Sequence, residues 1–206
     1  QDKGVYLNNV ESTVKRIRNH PSLAYYVASN ESSEVTGTRE LLMKLDGTRG
    51  YQMQSECEGV HDGSPYKQVN PMQHYENTAS SRGSRVDGFN PEYGTPTLPT
   101  VEILKEMMDE KDLWPINREV WDYFDCNGFH LMSTMYKKLV DNYGKSSSIE
   151  EFAQKGQFVG AINSKSIWEV WNYNKLDYGD RFCSGLLFWY HNCPVRQVSA
   201  RMWDWS

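Results

Sequence analysis

The chain has 206 residues, with 22 Lys and Arg against 27 Asp and Glu, a net charge of −5 and a pI near 5.6. That length suits one ordinary domain with a sizeable core. The acidic, scattered charge excludes wrapping of nucleic acid, which wants a basic face, and no run approaches the roughly 18 apolar residues of a membrane span.

Val10, Val14 and Ile17 recur at helical spacing among Lys15, Arg16 and Arg18, which predicts an amphipathic helix over 8–18. Asn19-His20-Pro21 ends it, because proline forbids continuation. The run Ser22-Leu23-Ala24-Tyr25-Tyr26-Val27-Ala28 is almost unbroken in its apolar character. It suits a strand buried on both faces, as in a parallel sheet, and it stops at Ser29-Asn30-Glu31. A helix is expected over 34–45 through Leu41, Leu42 and Leu45, closed by Gly47. Residues 51–55 read as a short strand. The polar stretch 56–84 is too long for an ordinary connection, with room for a short strand within 66–75. A strand over 85–89 runs into Asn90-Pro91-Glu92. Helices are expected over 100–109, 117–124, 128–142 and 148–173, and a last strand over 185–190 leads into His191-Asn192.

Strands alternate with helices and end in polar residues, which is the α/β pattern. In a (β/α)8 TIM barrel the chemistry sits at the carboxyl ends of the strands. About five strands are expected here, where a full barrel has eight in roughly 250 residues. The chain opens on a helix and lacks an initial Met. The reading is one domain over 1–206, the carboxyl-side part (about strands 4 to 8) of a TIM barrel, completed by another chain.

Two acids stand at strand ends, Glu31 and Glu92. Retaining glycoside hydrolysis needs one carboxylic acid to protonate the leaving oxygen and one carboxylate to attack the anomeric carbon. Glu31 is read as the acid/base, its pKa raised by burial and by the neighbouring carboxylate, and Glu92 as the ionised nucleophile. The alternatives are structural. Asn30 or Ser32 would cap a helix N-terminus, and Glu92 would sit in a turn after Pro91. The aromatic content of 13% fits either sugar stacking or a core of large rings. Cys57, Cys126, Cys183 and Cys193 fit two disulfides or buried thiols equally. His61, His74 and Cys57 match no zinc spacing, and no metal or cofactor is expected. Asn30-Glu31-Ser32 is a glycosylation sequon that an active site would enclose.

Asn19-His20-Pro21-Ser22-Leu23, an apolar strand and then Asn30-Glu31 resemble the acid/base segment of glycoside hydrolase family 2. Gly88-Phe89-Asn90-Pro91-Glu92-Tyr93-Gly94 followed by Leu98-Pro99-Thr100 is similar to that family's nucleophile segment. Phe188-Trp189-Tyr190-His191-Asn192 resembles its eighth barrel strand. Pro91 departs from the small residue common there. The spacing and the Pro-Glu-Tyr-Gly variant are most similar to the family's endo-β-mannosidase branch, with the exo-β-glucosaminidases and β-mannosidases near. The resemblance implies cleavage of the Manβ1-4GlcNAc linkage of N-glycan cores, and with it an endomembrane or vacuolar setting. It implies an Asn30 bond to the sugar 2-hydroxyl and a pocket floor at Trp189, with Asn192 beside it.

Tyr75 and Tyr66 are candidates to donate to the nucleophilic carboxylate. Trp121, with Tyr123, is a candidate for distal subsites. His20 reads as a hydrogen-bonded structural residue. Partners expected are a β-mannosyl oligosaccharide and other polypeptide fragments of the same precursor, with no nucleic acid and no membrane. The competing readings are an exo-acting β-mannosidase or exo-β-glucosaminidase, and a non-catalytic carbohydrate-binding or structural subunit.

Overall fold

A computed structural model describes residues 2–55, 70–76, 88–176, 182–189 and 195–199. The chain divides into two compact units, 1–61 and 62–206. Among the described residues no helix is long and apolar enough to cross a membrane, and no group of His, Cys, Asp or Glu could hold a metal ion.

In the first unit, helix α1 (Lys3–Ile17) starts five residues before the apolar spacing predicts. The cause is Asp2, whose carboxylate accepts from the Gly4 and Val5 N–H groups at 2.8 and 3.2 Å and caps the helix. Strand β1 (Tyr25–Val27) pairs in parallel with β2 (Gly50–Gln52), and α2 (Thr38–Leu45) connects them. The turn into β1 is fixed by Arg49. Its guanidinium donates to the Leu23 carbonyl at 2.6 Å, the His20 carbonyl at 3.1 Å and Asp46 at 2.5 Å. Thr48, Tyr26 and Arg49 all donate to Asp46 and hold its carboxyl down at about 2. His20 therefore serves through its backbone, and its side chain is exposed, which corrects its reading as a hydrogen-bonded imidazole. β1 is not buried on both faces as expected: Tyr25 and Val27 are 47% and 51% exposed, and among the described residues β2 is its one strand neighbour.

In the second unit, β3 (Gly88–Tyr93) pairs in parallel with β4 (Cys183–Phe188). β3 carries Asn90, Pro91 and Glu92 within the strand itself, where the strand was expected over 85–89, and residues 85–87 lie outside the described residues. Residues 70–76 hold a helical turn, α3 (Met72–Glu76), where a strand was allowed. Between β3 and the long α8 (Ile149–Asn174) lies a helical insertion. It comprises α4 (Val101–Met107), α5 (Glu110–Leu113), α6 (Arg118–Phe124), a π-helix (Met132–Tyr136) and α7 (Lys137–Asp141). One continuous helix over 128–142 does not form. The buried Asp125 carboxylate accepts from His130 Nδ1 at 2.9 Å and from the Met132 N–H at 3.0 Å, and Leu131 is driven to φ 55°.

α8 serves two cores. Its amino-terminal part, with Phe152 and Val159, packs on Leu104, Leu113, Trp121 and Tyr136 of the insertion. Its carboxyl-terminal part, with Ile167, Val170 and Trp171, packs on Tyr93 and Cys183 of the strand pair. Cys126 is a free thiol, and Cys183 is buried against the carboxyl-terminal part of α8.

Candidate active site

Asn30 and Glu31 follow the carboxyl end of β1. The chain there is tied to the continuation of β2. The Ala28 N–H donates to the Gln52 carbonyl, and the Ser55 N–H to the Ser29 carbonyl, both at 3.0 Å. The Ser55 hydroxyl donates to Asn30 Oδ1 at 2.5 Å. That bond occupies the amide oxygen and leaves the Asn30 NH2 as the group able to donate to a sugar hydroxyl. The helix-cap alternative for this segment does not apply, since α2 starts at Thr38 with Gly37 as its N-cap. Glu31 instead sits in the left-handed region at φ 49°. A non-glycine residue held there marks a backbone over-determined by its surroundings, as functional sites often are. Asn30 and Glu31 are both exposed, so residues 2–55 do not supply the enclosure expected of either.

Glu92 sits in β3 at a bulge. The pairing passes from Asn90↔Leu186 to Tyr93↔Phe188, so Pro91 and Glu92 oppose the single residue Leu187. Proline cannot donate to a ladder and is tolerated at such a bulge. Bulges re-aim side chains and are common beside active sites. Asn90 completes the device: it is 1% exposed, and its Oδ1 accepts the Glu92 N–H at 2.8 Å. Sequence reasoning passed over Asn90, although an Asn two residues before its acceptor-seeking N–H is the Asx-turn signal. Ser55 was also passed over, and it has no such signal.

Trp189 lies beside Glu92's strand end. Its N–H donates to the Tyr93 carbonyl at 2.5 Å. A Cβ added to Gly94 would stand 2.1 Å from the Trp189 carbonyl oxygen and 3.3 Å from its ring, so the two strand ends close together only over a glycine. The second unit thus brings Asn90, Glu92, Gly94 and Trp189 to one carboxyl edge, and the first brings Asn30, Glu31 and Ser55 to another.

The remaining candidates are placed as follows. The Tyr75 hydroxyl donates to Glu169 of α8, so the carboxylate it serves is a helix surface group. Trp121 is fully buried. Its ring packs on Phe152 with centroids 6.0 Å apart, and its indole N–H donates to the Asp112 carbonyl at 3.1 Å. That packing corrects its assignment to a distal subsite, because no ring face is open to a sugar. Tyr66 and Asn192 lie outside the described residues, as do His61, Cys57 and Cys193.

No protein-family model matches the chain. It is similar to the mannosylglycoprotein endo-β-mannosidase of Lilium longiflorum, at 22% identity over a 256-residue alignment covering 98% of this chain and 25% of the relative. It is also similar to the exo-β-D-glucosaminidase of Amycolatopsis orientalis, 24% identical over 155 residues, or 71% of this chain and 14% of the relative. The chain therefore spans a quarter or less of the length of these curated relatives. Among solved structures, the A. orientalis exo-chitosanase matches with a TM-score of 0.77 at 20% identity, covering 98% of this chain and 26% of that one. The β-D-mannosidase of Dictyoglomus thermophilum matches with a TM-score of 0.70 at 18% identity, covering 97% and 27%. The relatives bear the names that the motif resemblance implied, and the fold is that of about a quarter of each matched structure.

Proposed function

We propose that this chain is the catalytic portion of a retaining glycoside hydrolase, with Glu92 as nucleophile and Glu31 as acid/base. The observation that carries the reading is that each glutamate stands at the carboxyl end of a strand in a parallel pair, Glu92 on a bulge that re-aims it. In the first step Glu92 attacks the anomeric carbon while Glu31 gives its proton to the departing glycosidic oxygen. Glu31, now a carboxylate, takes a proton from water. That water attacks the same carbon and releases Glu92, restoring both groups. Such a pair works with its carboxyl groups about 5–5.5 Å apart. Asn30 donates to the 2-hydroxyl, and Trp189 floors the pocket.

The proposed substrate is the Manβ1-4GlcNAc linkage of N-glycan cores, in line with the lily relative. The exo-acting names of the A. orientalis proteins favour a second reading, removal of a terminal β-mannose or β-glucosamine. A mannoside whose non-reducing end is extended separates the two, since only an endo enzyme cleaves within it. The catalytic assignment is tested by a mechanism-based fluoro-glycoside followed by peptide mass spectrometry of the assembled protein. The label is expected on Glu92, and a label on any other residue overturns the assignment.

The domain is proposed as the carboxyl-side part of a TIM barrel closed by another polypeptide. Supporting this, each described sheet has two parallel strands, and Tyr25 and Val27 face solvent. Parallel sheets are ordinarily covered on both faces, and open edges invite pairing. Expressed alone, this chain is expected to aggregate and, in its native source, to co-purify with a second polypeptide. A stable, monodisperse monomer by light scattering would refute this.

A further inference from the structure

Behind the Glu92 strand lies a group of buried polar atoms that the proposed chemistry does not use. His74 of α3 is fully buried, and its Nδ1 is 2.8 Å from the Ser166 hydroxyl of α8. That hydroxyl lies 2.8 Å from the Asn163 carbonyl, and both bonds are satisfied when it donates there and accepts from His74. In that arrangement the imidazole is the Nδ1–H tautomer, and its Nε2 is an acceptor with no partner among the described residues. Burial pushes its pKa down to about 4, which keeps the ring neutral near pH 7. Asn163 is 1% exposed, and among the described residues neither polar atom of its side chain has a partner. Nor does the Thr95 hydroxyl, at 4% exposure.

These atoms belong to one seam. The segment after β3 runs antiparallel along α8. Gly156 of α8 lies against Leu98, Gly160 against Thr97, and Ile167 packs in one cluster with Tyr93. Advancing three residues along α8 from Gly160 covers about 4.5 Å, and stepping back two along the extended segment covers about 6.6 Å. The two advances differ by only about 2 Å, which puts Asn163 and Thr95 at neighbouring levels along the helix. Ser166 is three residues beyond Asn163 on the same helix face, and it holds His74. An acceptor on His74, a donor and an acceptor on Asn163 and a hydroxyl on Thr95 form a complementary set. Left unsatisfied in the interior, each would carry an uncompensated desolvation cost. Buried water makes about three bonds to groups of this kind.

We propose that His74, Asn163 and Thr95 form a water-bridged seam that fixes the Glu92 strand end to α8, with His74 as a positioning residue for the nucleophile. This rests on the assignment of Glu92 above. Thr95 is three residues beyond Glu92, so the seam restrains the strand on one side of it while Asn90 restrains the other. A nucleophile displaced by about 1 Å loses on the order of 10²-fold in rate.

The test uses the assembled enzyme with His74→Asn, His74→Gln and Thr95→Val. Asn returns a donor to Ser166 but leaves Nε2 unreplaced, whereas Gln places an amide where Nε2 stood. His74→Asn and Thr95→Val are expected to lower kcat on an aryl β-mannoside roughly ten- to a hundredfold with KM little changed, and His74→Gln to recover most of it. A crystal structure is expected to show water joining Nε2, Asn163 and Thr95, and a shifted Glu92 carboxylate in Thr95→Val. Dry, unbridged atoms, an unmoved Glu92 or a fully active Thr95→Val overturns the seam. If the wild type labels Glu92 normally while these outcomes fail, the seam alone is wrong. If the wild type neither turns over nor labels, the catalytic assignment is wrong, and the crystal structures still decide whether the seam exists.

Discussion

Glu92→Gln is expected to abolish turnover while sparing substrate binding, with kcat down on the order of 10⁴-fold or more. Gln keeps the size of the side chain, and the bulge that aims it depends on the backbone. The Asn90 side chain accepts the residue-92 N–H whatever the side chain is, and the Trp189 N–H still meets the Tyr93 carbonyl. The loss is thus chemical, since an amide cannot form the glycosyl ester that a carboxylate forms. Steady-state kinetics with calorimetric titration of an uncleaved sugar ligand checks both halves. Retained turnover would remove Glu92 from the nucleophile role, and loss of binding together with turnover would mean a collapsed site.

Glu31→Ala is expected to cost about 10²–10⁴-fold on natural linkages, the usual worth of general acid/base catalysis. Its signature is dependence on the leaving group. An aryl glycoside with an acidic phenol departs without a proton donor, so the first step is spared and the glycosyl-enzyme accumulates. Azide, which needs no general base, then restores turnover and gives a glycosyl azide with the β configuration of the substrate. The α azide, or no azide product, would contradict the assignment. The exposed, left-handed backbone at Glu31 makes alanine tolerable for folding, because the side chain fills no core.

The residues that made the site legible were those whose chemistry is local. Asn30-Glu31 and Pro91-Glu92 are short motifs at strand ends, and the strands were readable from apolar runs bounded by polar residues. α8 and α6 were readable for the same kind of reason, since Phe152, Ile167 and Val170 recur on one face. What escaped was set by tertiary context. Asp125 breaks a helix that its neighbours favour, because its buried carboxylate competes for the Met132 N–H. Trp121 has the composition of a sugar platform, yet its place in the core is decided by Phe152, some thirty residues on. The β3 bulge depends on how Leu187 meets Pro91 and Glu92, and no property of residues 88–93 alone specifies it. His74 was weighed only as a metal ligand, because its partner, Ser166, lies 92 positions away.

α8 is a single rod of 26 residues that grips the strand pair near one end and the helical insertion near the other. At about 1.5 Å per residue, Ile167 and Phe152 lie roughly 22 Å apart along the rod, so one helix spans the distance between the two cores. Removing one turn would draw the two cores about 5.4 Å closer along the helix while leaving residues 88–93 unchanged.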